Sequence, residues 1–483
     1  MKNYIKQTFR CYLKILSPIH LGCDEVYEPM GFILHEDIRK LVIFDPFLFI
    51  SQMNTSDREK FSLIFKKGTI TSILEIYKFF KGRTCEGRTI DVCSGFSKHY
   101  NETLSIPVHN EHRIRQELNR FVIERTAYQQ GDERPYIPGS AVKGALRTAY
   151  LNALANDKHV PNQKGKKAAQ YLEQALLDGG RFETDPFRLV KVSDFMPVGE
   201  ITTRIVYAVN EKKKQSSFKA RGPYQIVEVI EPGAQFRGEI TVEQPQKGAH
   251  INNPVKLEDL LKSVSWFYKK EKKREDAELF DIGITYACAH ETMRLLRIGR
   301  HSGAESITID GHRNILIRKG RGEKEFTNHA TTLWLSSELP KSDNKRMLRP
   351  FGWAFLDEFT PDLLKEFQQA EEQWHRKEEA AAKPALPAPN IPESTSPPDE
   401  TISKKPVVIE PSPLEKVLKK INVIKQDDKG QLAPIIDKIQ ALETDQEKAV
   451  AAQAIRNKMS KNAFKKFKKK ELIKELIEKG KGT

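Results

Sequence analysis

Apolar residues change period repeatedly along the first 375 residues, and each change predicts an element. Thr8 to Leu16 reads as a β-strand that stops at Pro18, and "KLVIFDP" as a second, turned by Asp45-Pro46. Helical spacing follows over Ser56 to Lys66, Thr71 to Phe80 and Arg113 to Gln130. In "PYQIVEVIEPGAQFRGEITVEQ" two runs, Gln225 to Ile230 and Phe236 to Val242, flank Pro232-Gly233. That dipeptide suits a type II turn, so the segment predicts a hairpin. "LEDLLKSVSWFYKKEKKREDAELFDIGITYACAHE" adds further helix before a glycine-rich segment. Strand, helices, hairpin, helix and strands in this order predict an α+β fold of two small antiparallel sheets with helices on one face.

The pattern breaks near residue 376. Residues 376–413 hold nine of the chain's 26 prolines and no aromatic residue, so they predict an extended linker. Beyond it, Leu414, Val417, Leu418 and Ile421 form one apolar stripe, and Ala449, Ala452, Ile455 and Met459 another. These predict a helical module of three or four helices over 414–483. Its end, "NKMSKNAFKKFKKKELIKELIEKGKG", is densely basic, which suits either a solvated helix face or a nucleic-acid contact.

Charge narrows the class. At 483 residues and a net charge of +15, the chain exceeds what solubility needs and points to a polyanion, nucleic acid first and a membrane surface second. The longest apolar runs are too short for a membrane span, and the first residues lack a signal-peptide core. Five cysteines without a CxxC pair read as free thiols of a cytoplasmic protein. Cys85, Cys93, His99 and His109 have spacings that fit no zinc pattern, so neither a metal nor a cofactor is expected.

Three segments carry candidate chemistry. In "YIPGSAVKGALRTAYLNAL", Gly139 and Gly144 have the separation of a phosphate loop, but Lys143 precedes the second glycine and no hydroxyl follows it. Nucleotide hydrolysis is therefore disfavoured. Instead Ser140 predicts an N-cap, and Lys143 and Arg147 share one helix face with Tyr150 beside them. A helix N-terminus flanked by two cations suits an anion, although both could be ordinary surface residues. In "MRLLRIGRHSGAESITIDGHRN", Gly299 and Gly303 allow close main-chain approach while Arg294, Arg297, Arg300 and His301 surround them. In "SPIHLGCDEVYEP", His20 and Gly22 sit at a strand end, where a histidine is usually a structural hydrogen-bonder. Basic clusters recur at Lys212–Lys214 with Lys219 and Arg221, Lys269–Arg274, Arg318–Lys324 and Lys345–Arg349. Phe218, Tyr224, Phe326 and Trp334 lie among them as candidate stacking residues.

Taken in order, these segments, the "EVIEPGAQFRGEI" run and the late "RPFGWAFL" resemble the RAMP superfamily of CRISPR-associated proteins. The middle motif is similar to its I-P-G-S-x-h-K-G-x-h-R signature, whose cations fall on Lys143 and Arg147. Within the superfamily the stretch Gly22 to Pro29 and the loop Arg297 to Gly303 resemble the subunit type that caps the crRNA 3′ end of type III-A (Csm) complexes. The resemblance implies two ferredoxin-like (RRM-like) domains, at 1–200 with a helical insertion and at 201–375, followed by the linker and all-α module. It also implies a non-catalytic RNA-binding subunit whose partners are crRNA, target RNA, a repeated backbone RAMP subunit and a small helical subunit. An accessory nuclease is a further candidate partner. The implied RNA-binding residues are His20, Gly22, Ser140, Lys143, Arg147, Arg297, Gly299, Arg300 and Gly303. This chain departs from the pattern with Cys23-Asp24 after Gly22 and with Arg300-His301 in the second loop. The alternative is a RAMP endoribonuclease, metal-independent with His20 or His301 as acid/base, or metal-dependent with Asp24.

Overall fold

The computed structural model describes residues 6–381 except 163–166, 180, 216–219, 221, 288–292, 319–322 and 342–343. Further on it describes residues 414–479 except 415–416, 419–420, 422–423, 425–431, 433–434, 443, 461–462, 465–466 and 468. Cys288, Phe218, Lys219, Arg221 and most of the proline-rich linker lie outside the described residues. The chain divides into two units, Met1–Ala385 and Leu386–Thr483.

The first unit is α+β and has two main sheets. Strand Lys6–Ile15 lies at the centre of a six-stranded antiparallel sheet, with Trp353–Glu358 on one side and Gln235–Glu243 on the other. Alternation puts Phe9, Cys11, Leu13 and Ile15 on one buried face. That face packs on two helices, Gly139–Asp157 through Val142, Leu146 and Ala149, and Leu257–Asp281 through Leu260, Val264, Phe267 and Tyr268. The second sheet has nine strands. Its hub, Thr203–Lys212, pairs antiparallel with Gln225–Ile230 and Thr332–Ser337 and parallel with Arg88–Val92. Helices Ile70–Phe80, Phe96–Leu104 and Glu111–Arg120 cover it with Leu74, Tyr77, Phe96, Tyr100, Ile114 and Leu118. Each main sheet draws strands from both sides of residue 200.

Three sequence expectations change here. The nine-stranded sheet is mixed rather than antiparallel, because helices cross over between Arg88–Val92 and Thr203–Lys212 and between Ile123–Thr126 and Gln225–Ile230, which pair parallel. Gln225–Ile230 and Gln235–Glu243 are both strands, but they do not pair as a hairpin. The turn between them is present, with Gly233 at φ +100° and Ala234 N–H on the Glu231 carbonyl, yet it passes the chain from one sheet to the other. Both strands find longer partners there, Thr203–Lys212 and Lys6–Ile15, and each turns its apolar positions into the core of its own sheet. The helix expected over 113–130 ends at Arg120, and Ile123–Thr126 is a strand parallel to Gln225–Ile230. The run Phe121-Val122-Ile123 has the β-branched and aromatic character that a sheet edge selects.

In the second unit the described helices are Ile435–Gln440, Asp445–Asn457 and Lys470–Lys479. Asp445–Asn457 opens with a capping box formed by Thr444 and Glu447. Both sequence stripes contribute to one core, through Val417 and Ile421 and through Ala452, Ile455 and Met459.

Candidate nucleic-acid interface

The three glycine-bearing segments meet around one cavity of about 490 Å³. Gly22 lines it from the strand after Pro18. Pro138, Ser140, Ala141, Gly144 and Thr148 line it from one face of the motif helix, and Arg297 through Arg300 with Ser302 line it from the loop after strand Leu295–Arg297. Gly144 faces open space, so the wall of the cavity there is bare backbone.

The loop is fixed at both ends. Gly299 has φ +87°, and a Cβ there would fall 2.6 Å from the His20 carbonyl oxygen, so only glycine allows this crossing. The next amide, Arg300 N–H, donates to that same carbonyl at 2.9 Å. Ser302 Oγ donates back to the Gly299 carbonyl at 2.7 Å. Gly303, at φ +81°, closes the turn. Behind the loop, Arg297 is buried, 2.5 Å from Glu275 Oε1, and lies over the Trp353 ring, whose Nε1–H donates to Glu275 Oε2 at 2.6 Å. Arg297 lines the cavity floor but spends its charge on Glu275. With 2% of its side chain exposed, this guanidinium holds the loop in place.

Arg300 is the loop's accessible cation. Its side chain is 46% exposed and crosses over Gly22, with Nη1 2.7 Å from Glu124 Oε2 and Nη2 2.8 Å from Asp24 Oδ1. Beside it His20 is fully buried, its Nδ1 2.8 Å from the Glu228 carbonyl oxygen and its Nε2 3.5 Å from Glu124. His301 stacks over His20 and packs on Trp334 and Phe351. Burial, and then the neighbouring His20, pull its imidazole down to about 4, so it is neutral at pH 7. Glu124 is held below the usual carboxylate range, chiefly by its bond to His20 and also by Arg300 and His301.

Lys143 and Arg147 lie on the flank of the motif helix that adjoins its cavity-facing residues, Lys143 one turn on from Ser140 and Arg147 one turn on from Gly144. Arg147 is ion-paired with Glu173 at 2.6 Å and Asp185 at 3.0 Å and stacks on Phe187. Burial works against its charge, but those two carboxylates outweigh it. Lys143 is half-buried; burial and then Lys191 make its charged form less favourable. The expected N-cap also shifts. Pro138 occupies that position, and the Gly139 N–H donates to Asp194 Oδ1 at 2.7 Å, so a carboxylate already sits at the helix start where Ser140 was expected to cap.

Sequence reasoning missed Glu275, Glu124, Asp194 and Tyr268, whose hydroxyl donates to the Ala145 carbonyl at 3.2 Å. A signal for Glu275 existed. The stripe Leu260, Val264, Phe267, Glu271, Glu275, Leu279 has helical spacing, and a carboxylate on an apolar stripe calls for a buried cation. Among the described residues no group of three or more His, Cys, Asp or Glu side chains could hold a metal. Cys93 and His99 sit in one core cluster while Cys85 packs against another. No helix among them is long and apolar enough to cross a membrane.

A model of the RAMP superfamily matches residues 12–289, more than half of the chain, and the chain belongs to that superfamily. It is similar to the CRISPR system protein Csm5 of Streptococcus thermophilus, with 27% identity over 278 residues covering 56% of this chain and 72% of that relative. Two solved structures are also similar. One is a cryo-EM structure of a Csm–crRNA–target RNA ternary complex of a type III-A CRISPR-Cas system, with TM-score 0.47 and 19% identity over 73% of this chain and 100% of that one. The other is a crystal structure of T. onnurineus Csm5, with TM-score 0.41 and 17% identity over 71% and 99%.

Proposed function

We propose that the chain is a non-catalytic crRNA-binding subunit on the 3′-end side of a type III-A Csm complex, acting in the cytoplasm in antiviral defence. The observation that carries this reading is the convergence of Gly22, Ser140 and the Gly299-Arg300 loop on one cleft. Glycines let an RNA backbone approach the main chain there, Ser140 offers a hydroxyl, and Arg300 supplies the charge-assisted contact. Lys143, with Lys191 near it, is a second basic point on the neighbouring helix face. The likeness to Csm5 supports a place in a CRISPR assembly, and the partners proposed with it are crRNA, target RNA, the repeated backbone RAMP subunit and the small helical subunit. The two sheets with their helices serve as the two ferredoxin-like RAMP domains.

The competing endoribonuclease would need an accessible acid/base. His20 is fully buried and His301 is packed under Trp334, which favours binding without turnover. Incubation of the full chain with crRNA precursor and with target RNA, with and without Mg²⁺, tests this directly. Intact RNA is expected in every arm. Cleavage lost in His20→Ala or Asp24→Ala would establish the enzyme instead.

A further inference from the structure

Arg300 meets the cleft with its guanidinium already engaged. A phosphodiester is gripped best by two parallel N–H donors, and the terminal pair of Arg300 is divided between two carboxylates of the protein itself. The two differ in how firmly they are held. Glu124 stands on the paired strand Ile123–Thr126 and also faces His20, so it is fixed. Asp24 is 90% exposed and has φ +61°, a left-handed backbone that an aspartate adopts only at some cost. Gly22 leaves room for the Arg300 side chain to lie flat across the strand between them.

We propose that Asp24 is a built-in phosphate mimic that lowers the affinity of the cleft for a phosphate group until a ligand with further contacts displaces it. Its carboxylate occupies one terminal nitrogen of Arg300 in the RNA-free protein, and an RNA phosphate displaces it while Glu124 keeps the guanidinium aimed. A lone phosphate offers only one contact to replace the one lost. A nucleic-acid strand adds neighbouring contacts at Ser140 and along the glycine backbone, so it offsets the displacement that a lone small anion leaves uncompensated. This inference rests on the reading of the cleft as an RNA site, and the experiment separates the two.

The test uses the full chain, a fluorescein-labelled single-stranded RNA of mixed sequence, and inorganic phosphate as competitor, read by anisotropy. Asp24→Asn removes the charge and keeps a residue tolerant of left-handed backbone. An exposed ion pair of this kind corresponds to a two- to fivefold effect, so Asp24→Asn is expected to bind RNA about two- to fivefold more tightly. The inhibition constant of phosphate should fall by a similar factor. Both gains should vanish in Asp24→Asn/Arg300→Ala. If Asp24→Asn leaves RNA affinity unchanged or weaker while Arg300→Ala weakens it, the mimic is overturned and the RNA site stands. An equal gain with and without Arg300 also overturns it, because the charge then acts on RNA generally. If neither variant changes affinity, the reading of the cleft fails and the mimic with it.

Discussion

Arg297 and Arg300 are three positions apart and have opposite fates. Arg297 turns inward to Glu275 and Trp353, whereas Arg300 turns outward over Gly22. Replacing Arg297 with Met should therefore destabilise the fold by about 3–5 kcal/mol, because Glu275 is left buried and unpaired. Urea denaturation measures this; a loss well below 1 kcal/mol would contradict the buried pair. A pH effect belongs at the same scale. Unfolded His301 takes up a proton near pH 6.5, while the folded imidazole resists protonation until about pH 4. Between those values the unfolded chain binds more protons, so stability falls as pH drops through that window. His99, also lowered by burial, pulls in the same direction. His301→Asn tolerates the positive φ of 64° and should flatten the dependence of Tm on pH between 6.5 and 4. An unchanged slope would contradict the assignment. The sequence placed both arginines beside the glycines, but it could not tell which one is buried. That depends on Glu275, which is distant in sequence and one face of a helix away.

At the scale of elements, the motif helix presents different chemistry on two adjoining faces. Its small residues face the cleft, and Lys143 and Arg147 face Glu173, Asp185 and Lys191. Arg300→Ala should lower the log–log salt slope of RNA binding by about 1, as expected for one lost phosphate contact. Arg147→Ala should leave that slope unchanged and instead cost about 1 kcal/mol of stability through its two ion pairs. The reverse ranking would move the RNA to the other helix face. Helical and strand periods were legible because burial enforces them. Strand partners were not: Gln225–Ile230 and Gln235–Glu243 read locally as a hairpin, and only competition from two long strands elsewhere separates them. The Pro232-Gly233 turn itself was legible, since a turn is a local property.

For the whole molecule, the excess of 15 positive charges points to a polyanionic partner, as the proposed RNA-binding role requires. The C-terminal unit has its own core and lies beyond the RAMP match. Truncation after Ala385 should accordingly leave the main thermal transition of the first unit in place, as followed by circular dichroism; its loss would show that the two units fold together. The division falls within the proline-rich stretch 376–413, although the helix Pro361–Ala381 runs into the first residues of the linker expected there. By contrast, the sheets interleave strands from both halves of the first 375 residues, which no local pattern could reveal. The central claim is that this chain holds crRNA at the 3′-end side of a Csm complex. Purifying the tagged full chain from its host and sequencing the RNA that accompanies it tests that claim most directly. The account predicts short CRISPR-derived RNAs with defined 3′ ends, recovered together with the backbone and small helical subunits. Recovery of the chain alone, or with RNA unrelated to CRISPR arrays, would contradict it.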